Sequence, residues 1–272
     1  MPTLRRPTVT LHYDDDGPRD GPAVVLLHSL LCDRTMWGPV AADLARTHRV
    51  LSLDLRGHGR SSPASSLYSL ETQCDDLPAL LDAAGVARAT LVGLSWGGML
   101  AMRAALYHPT RVLALGLFDT SAEPEHPIDR ARFVAMASAF RAVGLLPAIE
   151  AEVNRRMFCD GFLARSPGEV QRLNGQIRGA SREGLFQGTL AVATRGDLLP
   201  QLSAVAVPTL VVVGDEDRAT PPARAERIAD AIPGATVERL RGTGHLAAIE
   251  QPALVTLALR AFFDRLAGGS GP

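Results

Sequence analysis

The chain has 272 residues, 46% of them hydrophobic, with 28 basic and 29 acidic residues and a formal net charge of −1. That length accommodates one α/β domain with an insertion and a sizeable core, and the near-neutral charge offers no electrostatic footprint for nucleic acid or an anionic membrane. All 28 basic residues are arginine, so Schiff-base chemistry, a pyridoxal-phosphate lysine and a Walker A phosphate loop are excluded.

The N-terminal Met-Pro-Thr-Leu-Arg-Arg-Pro carries no apolar core of the signal-peptide kind. Residues 8–13 read as a first strand and 14–18 as its turn. The unbroken apolar run 23–27 suits a strand buried on both faces of a parallel sheet, and His28-Ser29-Leu30-Leu31 follows it. A helix over 40–47 leads to a strand at 50–54, and a helix over 70–84 precedes a short strand at 90–92. Next comes Gly93-Leu94-Ser95-Trp96-Gly97, then a helix over 96–107. Strand, G-x-S-x-G turn and helix together form the setting of a nucleophile elbow. Small residues at 93 and 97 let the two backbones crowd together, which exposes Ser95 at a strained tip. A strand at 112–118 ends at Asp119.

The strand pattern then stops. Residues 122–202 offer helices at 129–143, 148–158, 167–178 and 185–194 but no clear strand. An insertion after the strand 112–118, taken as the sixth of the sheet, sits over the strand ends, where open α/β sheets hold their ligands. The expected organisation is therefore a core of residues 1–121 and 203–272 under a helical cap of residues 122–202. Ten arginines fall between Arg130 and Arg195, interspersed with Asp129, Glu150, Glu152, Asp160, Glu169 and Glu183. That mixture reads as a salt-bridged surface; the sharper alternative is one guanidinium binding an anionic substrate group.

Strands resume at 209–213 and 236–240, with helices at 223–231 and 252–266, and the glycine-rich tail from Gly268 is expected to fray. The first of these strands runs into Gly214-Asp215-Glu216-Asp217, the second into Gly242-Thr243-Gly244-His245. A serine hydroxyl reacts only when a neighbouring base takes its proton and a third group orients that base. Of seven histidines only His245 follows the last core strand. An acidic residue after the strand 209–213 completes the set, with Asp119 as the other placement. The oxyanion needs two backbone donors: Trp96 N–H, directly after the nucleophile, and Leu30 N–H, in the loop after the strand 23–27. Arg56 and His58 lie near these groups and read as braces of their turn. Cys32, Cys74 and Cys159 are odd in number and lack metal-ligand spacing, so free thiols in a cytoplasmic enzyme are expected. Cys32, near the oxyanion loop, reads as a small buried hydrophobe more readily than as a reactive thiol.

These segments resemble the α/β-hydrolase superfamily along nearly the whole chain, and most nearly the enol-lactonases of the 3-oxoadipate type with their esterase relatives. The likeness is carried by His28-Ser29-Leu30, the loop from Asp54 to Ser61, Gly93-Leu-Ser-Trp-Gly-Gly98, Asp217-Arg-Ala-Thr-Pro-Pro222 and the stretch from Gly244 to Pro252. The order Ser, acid, His is that of this superfamily, not of chymotrypsin or subtilisin. The resemblance implies Ser95 as nucleophile, His245 as general base and then acid, and Asp217 as the orienting acid. It selects Asp217 over Asp215 because family members place the acid just ahead of x-x-Thr-Pro-Pro. Trp96 stands where that branch usually has Met. The expected activity is cofactor-free and metal-free hydrolysis of a small-molecule ester or lactone through an acyl-enzyme, with oligomeric state left open. A haloperoxidase or perhydrolase, and a hydrolase of carbon–carbon bonds, would use the same triad. The non-enzyme alternative is a hydrolase-fold binding module.

Overall fold

The computed structural model describes residues 2–268. In chain order the elements begin β1 (Thr3–Arg6), β2 (Val9–Asp16), β3 (Ala23–Leu27), α1 (Gly38–Leu44), β4 (Arg49–Leu53), α2 (Leu70–Cys74) and α3 (Asp76–Ala83). Then come β5 (Ala89–Leu94), α4 (Trp96–Tyr107), β6 (Val112–Phe118), α5 (Pro127–Val143), α6 (Pro147–Met157), α7 (Asp160–Arg165), α8 (Pro167–Gly179) and α9 (Arg182–Ala193). The chain closes with β7 (Thr209–Gly214), α10 (Pro222–Ala231), β8 (Thr236–Leu240), α11 (Ala247–Glu250) and α12 (Pro252–Gly268). The strands form one sheet in the order β1-β2-β4-β3-β5-β6-β7-β8. Only β1–β2 and β2–β4 pair antiparallel; every other pair is parallel.

Both faces of the central strands are covered, which is why they read as unbroken apolar runs. In β3, Val25 and Leu27 enter one core with α2, α3, α4 and α10, while Val24 and Leu26 enter the opposite core with α1 and α12. Each such fully buried aliphatic side chain contributes about 1.5–3 kcal/mol of transfer free energy. Parallel order brings the C-terminal ends of β3, β5, β6, β7 and β8 to one edge. The oxyanion loop, Ser95, Asp119, Asp217 and His245 all follow these ends. Helices α5 to α9 lie between β6 and β7, where the sequence places its insertion. No helix among the described residues is long and apolar enough to cross a membrane.

Three sequence expectations need correction. The strand expected at 8–13 extends to Asp16 and is preceded by β1, so residues 14–16 are strand rather than turn. The charges of Asp14 and Asp15 are accommodated by arginines: Arg49 binds Asp15 through two bonds of 2.9 Å, and Arg34 Nε meets Asp14 at 2.6 Å. The helix expected over 70–84 is broken into α2 and α3 at Asp75. Pro78 has no N–H for the Cys74 carbonyl and its ring crowds that position, so the helix restarts with proline in its first turn. Helix α7 was not anticipated; Cys159 caps it, its Sγ accepting Phe162 N–H at 3.3 Å. The tail beyond Gly268, expected to fray, lies outside the described residues.

Candidate active site

Ser95 joins β5 to α4 with φ 55° and ψ −111°, a conformation that L residues hold only when their surroundings impose it. Its N–H donates to Phe118 C=O at 2.9 Å, and its C=O accepts Met99 N–H at 3.0 Å. The same carbonyl accepts the Thr120 hydroxyl at 2.7 Å. The glycines are required by contact: a Cβ on Gly97 would lie 2.2 Å from the Leu27 carbonyl oxygen, and one on Gly93 would lie 2.2 Å from the Gly97 carbonyl carbon.

His245, 2% exposed, follows β8, and its Nδ1–H donates to Asp217 Oδ2 at 2.9 Å. Asp217 is held from every side. Oδ1 accepts Ala219 N–H at 2.8 Å and Thr220 N–H at 2.9 Å, and Oδ2 accepts the Thr220 hydroxyl at 2.8 Å. With Nδ1 committed to Asp217, Nε2 is the ring nitrogen left for a reacting proton. Ser95 and His245 line the same cavity of about 240 Å³. Among the described residues no hydrogen bond joins Ser95 Oγ to His245; such contacts are commonly long in free enzymes and tighten on substrate.

The other two carboxylates point elsewhere. Among the described residues the Asp215 carboxylate accepts only Thr243 N–H, at 3.4 Å. Asp119 accepts Gly214 N–H at 2.8 Å and Ala247 N–H at 3.3 Å, and is not bonded to His245. Burial, with the Asp217 charge beside it, pushes the Asp119 carboxyl well above the usual range.

Leu30 and Trp96 also line the cavity. The loop carrying Leu30 is a tight turn closed by Cys32 N–H to Ser29 C=O at 3.2 Å, with Leu31 at φ 68°. No hydrogen bond among the described residues takes up the Leu30 amide. His28 anchors this turn. Its Nε2 accepts Leu55 N–H at 2.9 Å, which leaves Nδ1–H to donate to Ser29 C=O at 2.8 Å.

Arg56 binds Asp76 at 2.6 and 2.8 Å, and His58 Nδ1–H donates to Arg56 C=O at 2.9 Å. Neither lines the cavity of Ser95, and the Arg56 bonds tie this turn to α3. The His58 ring packs on Trp96 with centroids 4.8 Å apart. Burial pushes His28 down to about 4, and burial with His28 alongside pushes His58 down to about 3, from the ordinary 6.5. Both are neutral when folded, whereas an unfolded chain takes up their protons as pH falls below 6.5. The stability tied to them is full above that pH and drains as pH falls toward the folded values. A His58→Gln variant, less stable than wild type at about pH 8, should therefore lose that deficit between about pH 6.5 and pH 4. Paired thermal melts check this; a deficit constant across the range contradicts neutral burial.

All three cysteines are free and buried, and burial raises the Cys32 thiol, so Cys32 is a packing residue. Of the ten arginines between Arg130 and Arg195, only Arg156 lines the cavity, joined by Arg218 and Arg224 from outside that segment. Each has a carboxylate partner: Glu152 at 3.1 Å, Asp160 at 2.7 Å and Glu125 at 3.5 Å respectively. The remaining walls include Phe133, Met136, Val153 and Met157. No three His, Cys, Asp or Glu side chains among the described residues are grouped to hold a metal ion.

Two contributors escaped the sequence reading. Thr220 was legible only as part of a motif, and its hydroxyl proves to fix Asp217. Met157 C=O accepts both His245 N–H at 3.1 Å and Leu246 N–H at 3.2 Å, tying α6 to the histidine loop; a backbone acceptor leaves no residue-type signal.

A family model described as the alpha/beta hydrolase fold matches residues 22–252. A 3-oxoadipate enol-lactonase of Acinetobacter baylyi is 31% identical over 264 residues, covering 97% of this chain and 96% of that protein. An esterase of Thermogutta terrifontis is similar in structure, with TM-score 0.90 and 31% identity over 97% of this chain and 98% of that one. An enol-lactonase of Burkholderia xenovorans also reaches TM-score 0.90, at 31% identity over 97% of this chain and 100% of its own.

Proposed function

This chain belongs to the alpha/beta hydrolase family, and from that premise we propose that it is a serine hydrolase acting on small, uncharged carboxylic esters or lactones. It is a hydrolase of the enol-lactonase and esterase kind. The serine mechanism rests on one observation above all: the His245–Asp217 pair, bonded at 2.9 Å, opens onto the cavity that also holds Ser95.

His245 Nε2 takes the Ser95 proton as Oγ attacks the carbonyl carbon, and the carbonyl electron pair moves onto oxygen. Donation from Leu30 N–H and Trp96 N–H stabilises that oxyanion; one such donor is worth about 2.7–4 kcal/mol in the transition state. As the tetrahedral adduct collapses, His245 gives its proton to the leaving oxygen. Water then repeats the cycle on the acyl-enzyme, with His245 again as base, and frees the acid and Ser95. Asp217 holds the imidazole in the tautomer that each transfer needs. Residues 122–202 act as a cap that narrows access by water.

An uncharged substrate follows from the cavity walls. Every cavity arginine is already paired with a carboxylate, and a second, carbon-lined chamber of about 40 Å³ adjoins the first across Phe133, Met136 and Val153. Initial rates on p-nitrophenyl butyrate, a neutral γ-lactone and a lactone bearing a carboxylate test this. Turnover of the neutral compounds, with the carboxylated lactone slower, is expected. No turnover of any of them would overturn the function, and a faster carboxylated lactone would overturn the charge preference.

A further inference from the structure

We propose that the corner Phe118–Asp119–Thr120, at the end of β6, is a positioning device that holds the backbone beside all three reacting side chains in one register. The proposal rests on the assignment of Ser95, His245 and Asp217 above.

Each residue of the corner reaches a different part of the site. Phe118 C=O accepts Ser95 N–H at 2.9 Å. The Thr120 hydroxyl donates to Ser95 C=O at 2.7 Å. The peptide groups on both sides of the nucleophile are thus held by residues flanking Asp119. The Asp119 side chain then spans the other two loops: Oδ1 accepts Gly214 N–H at 2.8 Å, just ahead of Asp217, and Oδ2 accepts Ala247 N–H at 3.3 Å, just after His245. Its own N–H donates to Val212 C=O at 2.9 Å.

The conformation matches the task. Asp119 is fully buried and sits at φ 43°, beside Ser95 at φ 55°. A non-glycine residue stays in this region only where its surroundings over-determine it. Here two such residues terminate neighbouring parallel strands, and Ser95 is bonded to the residues on either side of Asp119. The two buried N–H donors on either side of Asp119 call for a side chain with two acceptor oxygens, which asparagine does not have. Among the described residues Asp119 is hydrogen-bonded neither to Ser95 Oγ nor to His245, and it acts through the loops it holds. Thr120 is fitted as tightly: a Cβ added to Gly98 would lie 2.7 Å from Thr120 Oγ1.

The test compares Thr120→Val, Thr120→Ser and Asp119→Asn by steady-state kinetics on p-nitrophenyl butyrate and by thermal melts. Valine keeps the threonine shape and removes the hydroxyl; serine keeps the hydroxyl. Asparagine keeps the volume but turns an N–H₂ toward one of the two amides. Misplacement of reacting groups by about 1 Å costs about a hundredfold in rate. Thr120→Val and Asp119→Asn should accordingly lose about tenfold to a hundredfold in kcat, with KM within about twofold. Thr120→Ser should stay within about twofold of wild type in both. Wild-type kcat in a folded Thr120→Val protein, or an equal loss in Thr120→Ser, would overturn the proposal even if Asp119→Asn fails to fold. A fully active Ser95→Ala protein would instead sink the serine assignment beneath it.

Discussion

Replacing Ser95 by alanine is expected to lower kcat/KM for p-nitrophenyl butyrate by about 10⁴- to 10⁶-fold while moving the melting temperature by no more than about 2 °C. The large kinetic effect follows from removing the atom that forms the acyl bond. What remains is binding and the oxyanion donors, which alone leave residual catalysis of about 10³–10⁴ over water. The small thermal effect follows from the contacts. Ser95 is held through its backbone, by Phe118 C=O, Met99 N–H and the Thr120 hydroxyl. Alanine keeps all of these and the same strained φ. Activity within tenfold of wild type, in a variant that melts normally, would contradict the nucleophile assignment.

Asp217→Asn should lose about 10³- to 10⁴-fold in kcat. The Asp217 carboxylate accepts four hydrogen bonds, from Ala219 N–H, Thr220 N–H, the Thr220 hydroxyl and His245 Nδ1–H. An amide has one oxygen to offer this ring of donors. With its oxygen toward Ala219 and Thr220, its N–H₂ faces His245 Nδ1 and favours the tautomer with the proton on Nε2, which cannot take a proton from Ser95. The opposite flip sets N–H₂ against two backbone N–H groups. Asp215→Asn is the control, since among the described residues the Asp215 carboxylate accepts only Thr243 N–H, at 3.4 Å; it should stay within about threefold of wild type. Comparable losses at both positions would mean that the acidic loop acts as a unit and that Asp217 has no special part.

How much of this was legible in the chain depends on the range of the forces involved. The elbow was legible because its pattern is local: Gly93 is required by the backbone of Gly97, four residues on, and α4 begins and ends where the residue pattern places it, although the contact that requires Gly97 is with distant Leu27. The order of Ser95, acid and His245 was legible because parallel strands deliver all their loops to one edge. Spacing alone did not choose among Asp119, Asp215 and Asp217, which all follow strand ends. That choice lies in directions, and the Thr220 hydroxyl and the His245 ring supply them. β1 was missed because Thr3–Arg6 is a half-exposed edge strand with two arginines and no apolar run. Extension of β2 through Asp14, Asp15 and Asp16 was missed because Arg34 and Arg49, distant in the chain, pair with the first two of them. The arginines between Arg130 and Arg195 read as a salt-bridged surface, with one guanidinium for an anionic substrate group as the alternative; Arg141, Arg155 and Arg172 do pair with nearby carboxylates, and the walls the cavity presents are largely carbon.

One measurement bears most directly on the central idea of a nucleophilic serine served by a histidine. The protein is treated with a fluorophosphonate, its intact mass recorded, and the adduct located by peptide mapping. One equivalent per chain, carried by Ser95 and formed far more slowly in a His245→Gln variant, is the expected result. Absence of an adduct, or an adduct on another residue while ester hydrolysis persists, would contradict it.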